Sequence, residues 1–408
     1  MKQRQGRTSL IKGENIYGKK NRNFLQPYTF ANGFTLKNRV VMAPMTTMSS
    51  FFDGSITNDE VDYYAERAGG PGMIITGVAY VTDGGKGFEG ELSIASDSTI
   101  KGLSKIARAI QKDGTKAIVQ IFHAGRKTNS KTLRGVQPTS ASAIAATHPI
   151  GSETPRELTP DEIESIIKDF GRATLRAIQA GFDGVELHGA NTYLLQQFFS
   201  VNSNQRSDQW GGSFENRMRF PLAVIQEVAS VIDAHADKPF ILGYRISPEE
   251  IHMPGIRLED SLAFAQALTN TRVDYIHLSM GSYKRTSLNQ PDDKEPILTK
   301  FVRVLDQKKP LIGIGSIERP EDAEEVINAG ATLVALGREL IREPKWVQKV
   351  KAGDLGSIRY QISPSDMDEL RIPLAMQTYL EGSFREVMHF TTDNQNSLAP
   401  MEGFEKKM

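Results

Sequence analysis

The stretch TPDEIESIIKDFGRATLRAIQAGFDGVELHG, residues 159–189, contains the unit that decides the fold. Thr159 and Glu162 form a capping-box pattern with proline between them, which predicts the start of a helix. Apolar residues then recur at helical spacing, and Gly181 predicts the end of that helix. The apolar run at 183–189 is typical of a strand buried on both faces. The stretch therefore predicts a helix followed directly by a buried strand.

The same combination of a buried strand and an amphipathic segment recurs along the chain. The apolar runs are RVVMAP (39–44), MIITG (73–77), AIVQIFH (117–123), DGVELHG (183–189), FILGYRIS (240–247), YIHLSMG (275–281), LIGIGS (311–316) and LVALG (333–337). Strands that alternate with helical patterns indicate parallel βαβ units. Eight such units favour a closed (β/α)8 TIM barrel, although a doubly wound sheet also fits the pattern.

One barrel with insertions accounts for most of the 408 residues. We predict an N-terminal tail at 1–26, the barrel at 27–350, and a C-terminal helical extension and tail at 351–408. Two connections are longer than ordinary barrel loops: about 124–158 after the third strand and about 190–215 after the fourth. Long ordered loops are usually functional. Both follow the carboxyl ends of strands, which is the barrel face where active sites lie.

The composition excludes several classes of protein and site. The chain has no cysteine, so disulfides, thiolate nucleophiles and cysteine-ligated metal centres are ruled out. Lys+Arg and Asp+Glu both number 49, which gives no support for nucleic acid or an anionic membrane as a partner. No segment resembles a signal peptide or reaches the roughly 18 apolar residues of a membrane span. We expect a cytoplasmic protein with small-molecule partners and no metal site; a homo-oligomer stays open.

Polar side chains lie at the ends of the predicted strands, where stability alone would favour apolar or turn-forming residues. They are Thr46, Gln120, His123, His188, Asn191 and Arg245. Because the carboxyl ends of barrel strands converge, we expect these side chains to line one cavity. Any one of them alone is more often a satisfied core residue. Six at corresponding positions favour a functional site.

The last two predicted strands each end in glycine followed by a polar residue, as Gly315-Ser316 and Gly337-Arg338. Glycine lets an anion approach backbone N–H groups closely, and a helix that begins just beyond adds the positive end of its dipole. Arg338 can add a bidentate contact. Many barrels bind phosphate after strands seven and eight, so we predict a phosphate site here. Two ordinary turns with an exposed arginine are the alternative.

Six segments, in order, resemble signature segments of the old yellow enzyme family. They are APMT (43–46), QIFHAGRK (120–127), HGANTYLL (188–195), FFSVNSNQRSDQWGGSFENRMRF (198–220), RISP (245–248) and GREL (337–340). The resemblance runs from about 27 to 350. It implies a barrel that binds FMN noncovalently and takes hydride from NADH or NADPH. It also implies an α,β-unsaturated carbonyl compound as the hydride acceptor, with ping-pong kinetics because donor and acceptor share one site.

The resemblance implies roles for the matching residues toward FMN. The residues implied to contact it are Ala43, Pro44, Met45, Thr46, Gly77, Gln120, His188, Arg245, Gly315, Ser316, Gly337 and Arg338. Among them, Thr46 would lie near flavin N5 and Gln120 at the pyrimidine edge. Arg245 would lie near N1 and stabilise the negative charge of the reduced flavin. The last four would hold the phosphate.

The resemblance also implies a substrate site formed by His188, Asn191 and Tyr193. His188 and Asn191 match the family's pair of hydrogen-bond donors to the substrate carbonyl oxygen. Their bonds would strengthen as negative charge grows on that oxygen, which favours the transition state. Tyr193 matches the family's proton donor to the α-carbon, a role that typically contributes about 10²–10⁴-fold.

The sequence departs from the family pattern at two places, and two other functions are also compatible with it. Met48 stands where some bacterial members have a tyrosine, and the stretch 371–379 offers no equivalent of the arginine that some members insert into a neighbouring subunit. Another FMN barrel oxidoreductase with a different electron acceptor would keep Arg245 and the phosphate loops. A flavin-binding redox sensor with little turnover is the third hypothesis, and retention of the polar set that includes Tyr193 argues against it.

Overall fold

The computed structural model describes residues 22–392, and its centre is a closed barrel of eight parallel strands. The strands are β1 Val40–Met42, β2 Met73–Tyr80, β3 Lys116–Phe122, β4 Gly184–Gly189, β5 Ile241–Ile246, β6 Tyr275–Leu278, β7 Leu311–Ile314 and β8 Leu333–Leu336. Each strand pairs with its neighbours in chain order, and β1 pairs with both β2 and β8. This pairing closes the sheet. The predicted (β/α)8 barrel is therefore confirmed, and the doubly wound sheet, which has open edges, is excluded.

The strands are buried along almost their whole length, which explains why they appear as continuous apolar runs. Lys116, at the start of β3, is the one strand residue of the barrel that is only partly buried. With both faces of each strand covered, a polar residue at a strand end has few ways to reach water. Such residues therefore face one another at the barrel mouth.

Helices surround the barrel and cover its carboxyl end. They are α1 Asn58–Arg67, α2 Ile100–Gln111, α3 Pro160–Gln179, α4 Leu194–Phe199, α5 Phe214–His235, α6 Leu258–Leu268, α7 Ile297–Leu305, α8 Pro320–Asn328, α9 Arg338–Arg342, α10 Trp346–Ala352, α11 Leu374–Glu381 and α12 Arg385–Met388. Helix α3 begins with the predicted capping box: the Thr159 side chain accepts from the Glu162 N–H (3.3 Å), and the Glu162 carboxylate accepts from the Thr159 N–H (2.8 Å). It ends before Gly181, whose φ is +88°.

The two long loops are joined to each other. The loop at 190–215 contains α4, a short helix that the sequence pattern did not predict. Gln197 on α4 accepts a hydrogen bond from the Arg126 N–H (3.0 Å) and donates to the Ala124 carbonyl (3.0 Å), both in the loop at 124–158. One buried amide therefore fixes both loops above the barrel mouth.

The N-terminal end of the described chain packs on the barrel. Asn23, which the prediction assigned to the tail, bonds through its backbone and side chain to Glu324 on α8. Phe24 is fully buried, with its ring centroid 5.7 Å from that of Trp346. The rest of the predicted tail, 1–21, lies outside the described residues, as does 393–408. Within the described chain, no helix is long and apolar enough to cross a membrane.

Candidate active site

A cavity of about 830 Å³ opens at the carboxyl ends of the strands. This volume is typical of a site for a small molecule or cofactor. The predicted site residues that line it are Ala43, Pro44, Met45, Thr46, Gln120, His188, Asn191, Tyr193, Arg245, Gly315, Ser316, Gly337 and Arg338. These residues come from six of the eight strand ends, and Val78 on β2 with Met280 after β6 adds the other two.

Two sequence candidates, Gly77 and His123, do not line this cavity. The Gly77 N–H donates to the Tyr64 hydroxyl (2.8 Å), and a Cβ at Gly77 would lie 2.8 Å from the Met45 carbonyl oxygen. Gly77 therefore lets the loop after β1 pass close to β2. His123 is buried and accepts a hydrogen bond from the Gly125 N–H through Nδ1 (3.0 Å). Burial lowers the pKa of His123 to about 4, as expected of a neutral structural histidine.

The carboxylate of Glu186, on β4, organises the floor of the cavity. It accepts hydrogen bonds from Gln120 Nε2 (2.6 Å) and the Tyr275 hydroxyl (3.0 Å), and it lies 2.9 Å from His277 Nδ1. Burial alone would raise the pKa of Glu186, but His277 and the nearby Arg245 guanidinium hold that pKa below its ordinary value. The floor therefore carries a negative charge that fixes the side chain of Gln120.

Arg245, on β5, brings a buried positive charge to the same region. Its Nε is buried and has no hydrogen-bond partner among the described residues. Burial lowers the pKa of Arg245, and Glu186 opposes that shift, so the guanidinium stays charged at neutral pH. Buried donors rarely go without partners. An unsatisfied cation facing a cavity indicates that a ligand with an electron-rich edge completes it.

The turn after β4 holds Asn191 in a strained conformation. Asn191 and Thr192 both have left-handed backbones, with φ of +56° and +62°. Such φ values are rare for a β-branched residue and cluster at functional sites. The Asn191 N–H donates to Ser247 Oγ (2.9 Å), and Asn191 Oδ1 accepts from Ser279 Oγ (2.8 Å). With its oxygen engaged, the carboxamide keeps its NH₂ group available to donate to a ligand.

His188 and Tyr193 pack edge to face beside that turn, with ring centroids 5.0 Å apart, and Phe122 packs against Tyr193 at 4.8 Å. Burial, helped by the charge of Arg245, lowers the pKa of His188 well below its ordinary value. Burial raises the pKa of Tyr193. At neutral pH the site therefore presents a neutral imidazole and a protonated phenol, each with one hydrogen to donate.

The ends of β7 and β8 meet at the far side of the cavity. Arg338 donates to Ser316 Oγ (2.9 Å) and to the Val387 carbonyl (2.8 Å). Gly315 has φ +113°, and a Cβ there would lie 2.6 Å from the Ser282 backbone nitrogen, so only glycine fits. Burial lowers the pKa of Arg338 to about 10, which still leaves it charged at neutral pH. A half-buried cation beside a glycine turn suits a phosphate group.

The roof of the cavity comes from the C-terminal extension, which no sequence motif marked as part of the site. Met376, Tyr379, Leu380, Ser383 and Phe384 line it. These positions follow the i, i+3, i+4, i+7, i+8 spacing of one helix face. In the sequence, this spacing indicates that one face of a helix is buried, but it does not show that the face covers the barrel mouth.

These features fit FMN. Arg245 and His188 both line the cavity, and each has a buried nitrogen, Nε and Nδ1, without a hydrogen-bond partner among the described residues. They offer polar contacts to a flat heterocycle, and Arg338 with Ser316 and the adjoining glycines provides the phosphate end.

Comparisons with known proteins show the family of the chain. A family model described as the NADH:flavin oxidoreductase / NADH oxidase family matches residues 23–355. The chain belongs to this family. It is the old yellow enzyme family that the sequence segments resembled, and its members are oxidoreductases that use FMN and a reduced nicotinamide donor.

Relatives within the old yellow enzyme family differ in length. An NADH:acrylate oxidoreductase of Vibrio harveyi is 48% identical over 323 residues, which cover 78% of this chain but 32% of that protein. A probable NADH-dependent flavin oxidoreductase of Bacillus subtilis is 42% identical over 348 residues, which cover 85% of this chain and 93% of the relative. The solved structure of an old yellow enzyme homologue from Zymomonas mobilis has a TM-score of 0.73 and is 26% identical; the match covers 88% of this chain and 99% of that one. The chain thus spans about a third of the Vibrio protein.

Proposed function

We propose that the chain is an ene-reductase, which uses NADH or NADPH to reduce the C=C bond of α,β-unsaturated carbonyl compounds. The convergence of His188, Asn191 and Tyr193 in one corner of the cavity carries this proposal. FMN, when bound, supplies the hydride acceptor for the nicotinamide and the hydride donor for the alkene. An oxidoreductase that merely bound flavin would not need three hydrogen-bond donors in that corner.

We assign the flavin to the residues that the family resemblance named. Ala43, Pro44, Met45 and Thr46 would contact the ring system along one side, and Gln120, His188 and Arg245 would contact its polar edges. Gly315, Ser316, Gly337 and Arg338 would hold the phosphate, and Gly77 would support the loop at 43–46 from behind. Arg245 would also stabilise the negative charge of the reduced ring.

The substrate carbonyl oxygen would lie between His188 and Asn191. Both can donate to it without changing their protonation, because His188 is neutral and the Asn191 oxygen is already engaged by Ser279. Tyr193 would deliver its proton to the α-carbon and recover it from water. The roof formed by α11 would exclude bulk solvent and so strengthen these bonds.

A single cavity serves both the nicotinamide and the alkene in this proposal, so the nicotinamide must leave before the alkene enters. This predicts ping-pong kinetics. The test is to follow the two half-reactions separately under anaerobic conditions: flavin reduction by NADH or NADPH, then reoxidation by cyclohexenone. We expect both half-reactions to proceed. A flavin that NADH or NADPH reduces but that cyclohexenone does not reoxidise would contradict the proposal.

The Vibrio harveyi relative favours a second candidate function. It is named for acrylate, yet this chain matches only 32% of it. Its acceptor site could lie in the remainder, in which case the matched part would oxidise NADH and pass electrons onward. The same experiment decides between them: a chain of this second kind would be reduced by NADH, ignore cyclohexenone and be reoxidised by ferricyanide. A cytoplasmic location and self-association stay predictions.

A further inference from the structure

A second cavity, of about 730 Å³, lies beside the first one. Tyr379 and Ser383 line both cavities. Ala375 and Thr378 line only the second, whereas Met376 lines only the first. Helix α11 therefore stands between the two cavities, with one face toward each. The second cavity opens widely to solvent beyond this helix.

The outer wall of the second cavity carries an exposed aromatic ring paired with a guanidinium group. Phe52 is 70% exposed, and the Arg134 guanidinium carbon lies 5.6 Å from its ring centroid. A flat aromatic surface of this kind can stack on a nucleobase, since every base has a π-face. Arginine adds a planar fork that suits a phosphate group and also stacks on rings.

The charged side chains that line this wall are Arg134 and Glu89, which pair with each other. Glu89 pairs with both Arg134 (3.1 Å) and Lys86 (2.6 Å), so two cations share one carboxylate. Lys86 also donates to the Phe52 carbonyl (2.7 Å), which fixes the backbone that carries the ring. The exposed ring of Phe52 suits an aromatic base, and the adjacent Arg134 fork suits a diphosphate that displaces Glu89 from it.

The proposed function, on which this inference rests, requires such a ligand. A reduced nicotinamide dinucleotide must place its nicotinamide in the first cavity, which also has to hold FMN. Its adenosine half therefore has to lie elsewhere, within reach of the first cavity. His148 lies at the rim of the first cavity, and its ring packs on that of His252 with the centroids 5.2 Å apart. These two rings are therefore engaged with each other and not with a base. Phe52 offers its ring to solvent instead.

We propose that the second cavity binds the adenosine diphosphate half of the nicotinamide donor. Phe52 stacks on the adenine, and Arg134 pairs with the diphosphate. The dinucleotide extends from one cavity to the other past Tyr379 and Ser383, which line both. In this arrangement the donor bridges α11, whereas the alkene substrate uses only the first cavity.

The direct test is calorimetric titration of the FMN-loaded enzyme with ADP-ribose, which has the adenosine diphosphate half but no nicotinamide. Phe52→Ala should weaken binding about 5- to 150-fold, the range for losing one base–aromatic stack. Phe52→Trp should keep the affinity because a ring remains. Phe51→Ala is the matched control: Phe51 is 57% exposed but lines neither cavity. Equal affinity of the Phe52→Ala and wild-type enzymes would overturn the proposal.

A kinetic comparison separates this site from general damage. Phe52→Ala and Arg134→Ala should raise the apparent dissociation constant for NADH during flavin reduction and leave the rate at saturation unchanged. With reduced nicotinamide mononucleotide, which lacks the adenylate half, both variants should behave like wild type. Equal losses with the two donors would refute the second cavity as the adenosine site. Absence of any reduction in the wild-type enzyme would instead refute the proposed function.

Discussion

Replacing Tyr193 by phenylalanine isolates the proposed proton donor from every other feature of the site. The ring contacts with Phe122 and His188 survive because phenylalanine keeps the ring. The Tyr193 hydroxyl makes no hydrogen bond to another described residue, so its removal leaves no partner unsatisfied. The change therefore removes the proton and little else. Loss of a general acid typically slows a step by about 10²–10⁴-fold, or roughly 3–5.5 kcal/mol of activation free energy.

The assay is anaerobic stopped-flow absorbance, applied to each half-reaction of Tyr193→Phe and wild type. Reoxidation of the reduced enzyme by cyclohexenone should slow by that factor, whereas reduction by NADH, which needs no proton from Tyr193, should be nearly unchanged. Tyr28 lies in an antiparallel hairpin formed by Tyr28–Thr29 and Thr35–Leu36 and does not line the cavity. Tyr28→Phe makes the same chemical change there and should affect neither step. Comparable losses in both half-reactions of Tyr193→Phe would refute the reasoning, because they would indicate a structural role.

Three further predictions concern the two ends of the cavity. Arg338→Ala should weaken FMN binding about 10- to 150-fold, the worth of a hydrogen bond to a charged group, measured by flavin fluorescence on dilution; unaltered retention would reject the phosphate assignment. His188→Ala should weaken phenol binding, which in this family gives a charge-transfer absorbance, and an unchanged titration would remove His188 from the substrate site. Because the pKa of His188 is depressed well below its ordinary value, binding of an uncharged, unreactive ketone should show no transition near the ordinary histidine pKa of 6.5. A transition near the ordinary histidine pKa of 6.5 would contradict that depression.

The barrel and most of the cavity could be predicted because burial on both faces of a parallel strand constrains its sequence so strongly. Once a strand is apolar throughout, a polar residue at its carboxyl end, such as Arg245, stands out and indicates the barrel mouth. The glycine turns of β7 and β8 were visible for a related reason. A backbone such as that of Gly315, with φ +113°, tolerates hardly any other residue.

Strand periodicity explains why His123 lies outside the cavity. Successive side chains in a strand point to opposite faces. Gln120 lines the cavity, so His123, three positions on, faces away from it. Gly77, the other candidate outside the cavity, has no side chain and instead makes room for the Met45 carbonyl of the loop after β1. Assigning residues by motif alone ignores this alternation.

The roof and the second cavity could not be predicted from local sequence. The spacing of Met376 and Leu380 indicates a helix with one buried face, but long-range packing decides that this face covers the barrel mouth. The link is a contact between distant parts of the chain: Arg338, in the phosphate end, donates to the Val387 carbonyl at 2.8 Å. The sequence around Phe52 likewise gives no sign of a cavity, because the cavity forms only where α11 packs beside that loop.

The central claim is that this barrel mouth binds FMN and accepts hydride from a reduced nicotinamide. The visible spectrum of the purified protein, recorded before and after anaerobic addition of NADH or NADPH, tests it most directly. We expect a yellow protein with about one FMN per chain, whose flavin absorbance bleaches on addition of the donor. A colourless protein that takes up no FMN on reconstitution, or a bound flavin that neither nicotinamide reduces, would contradict the claim.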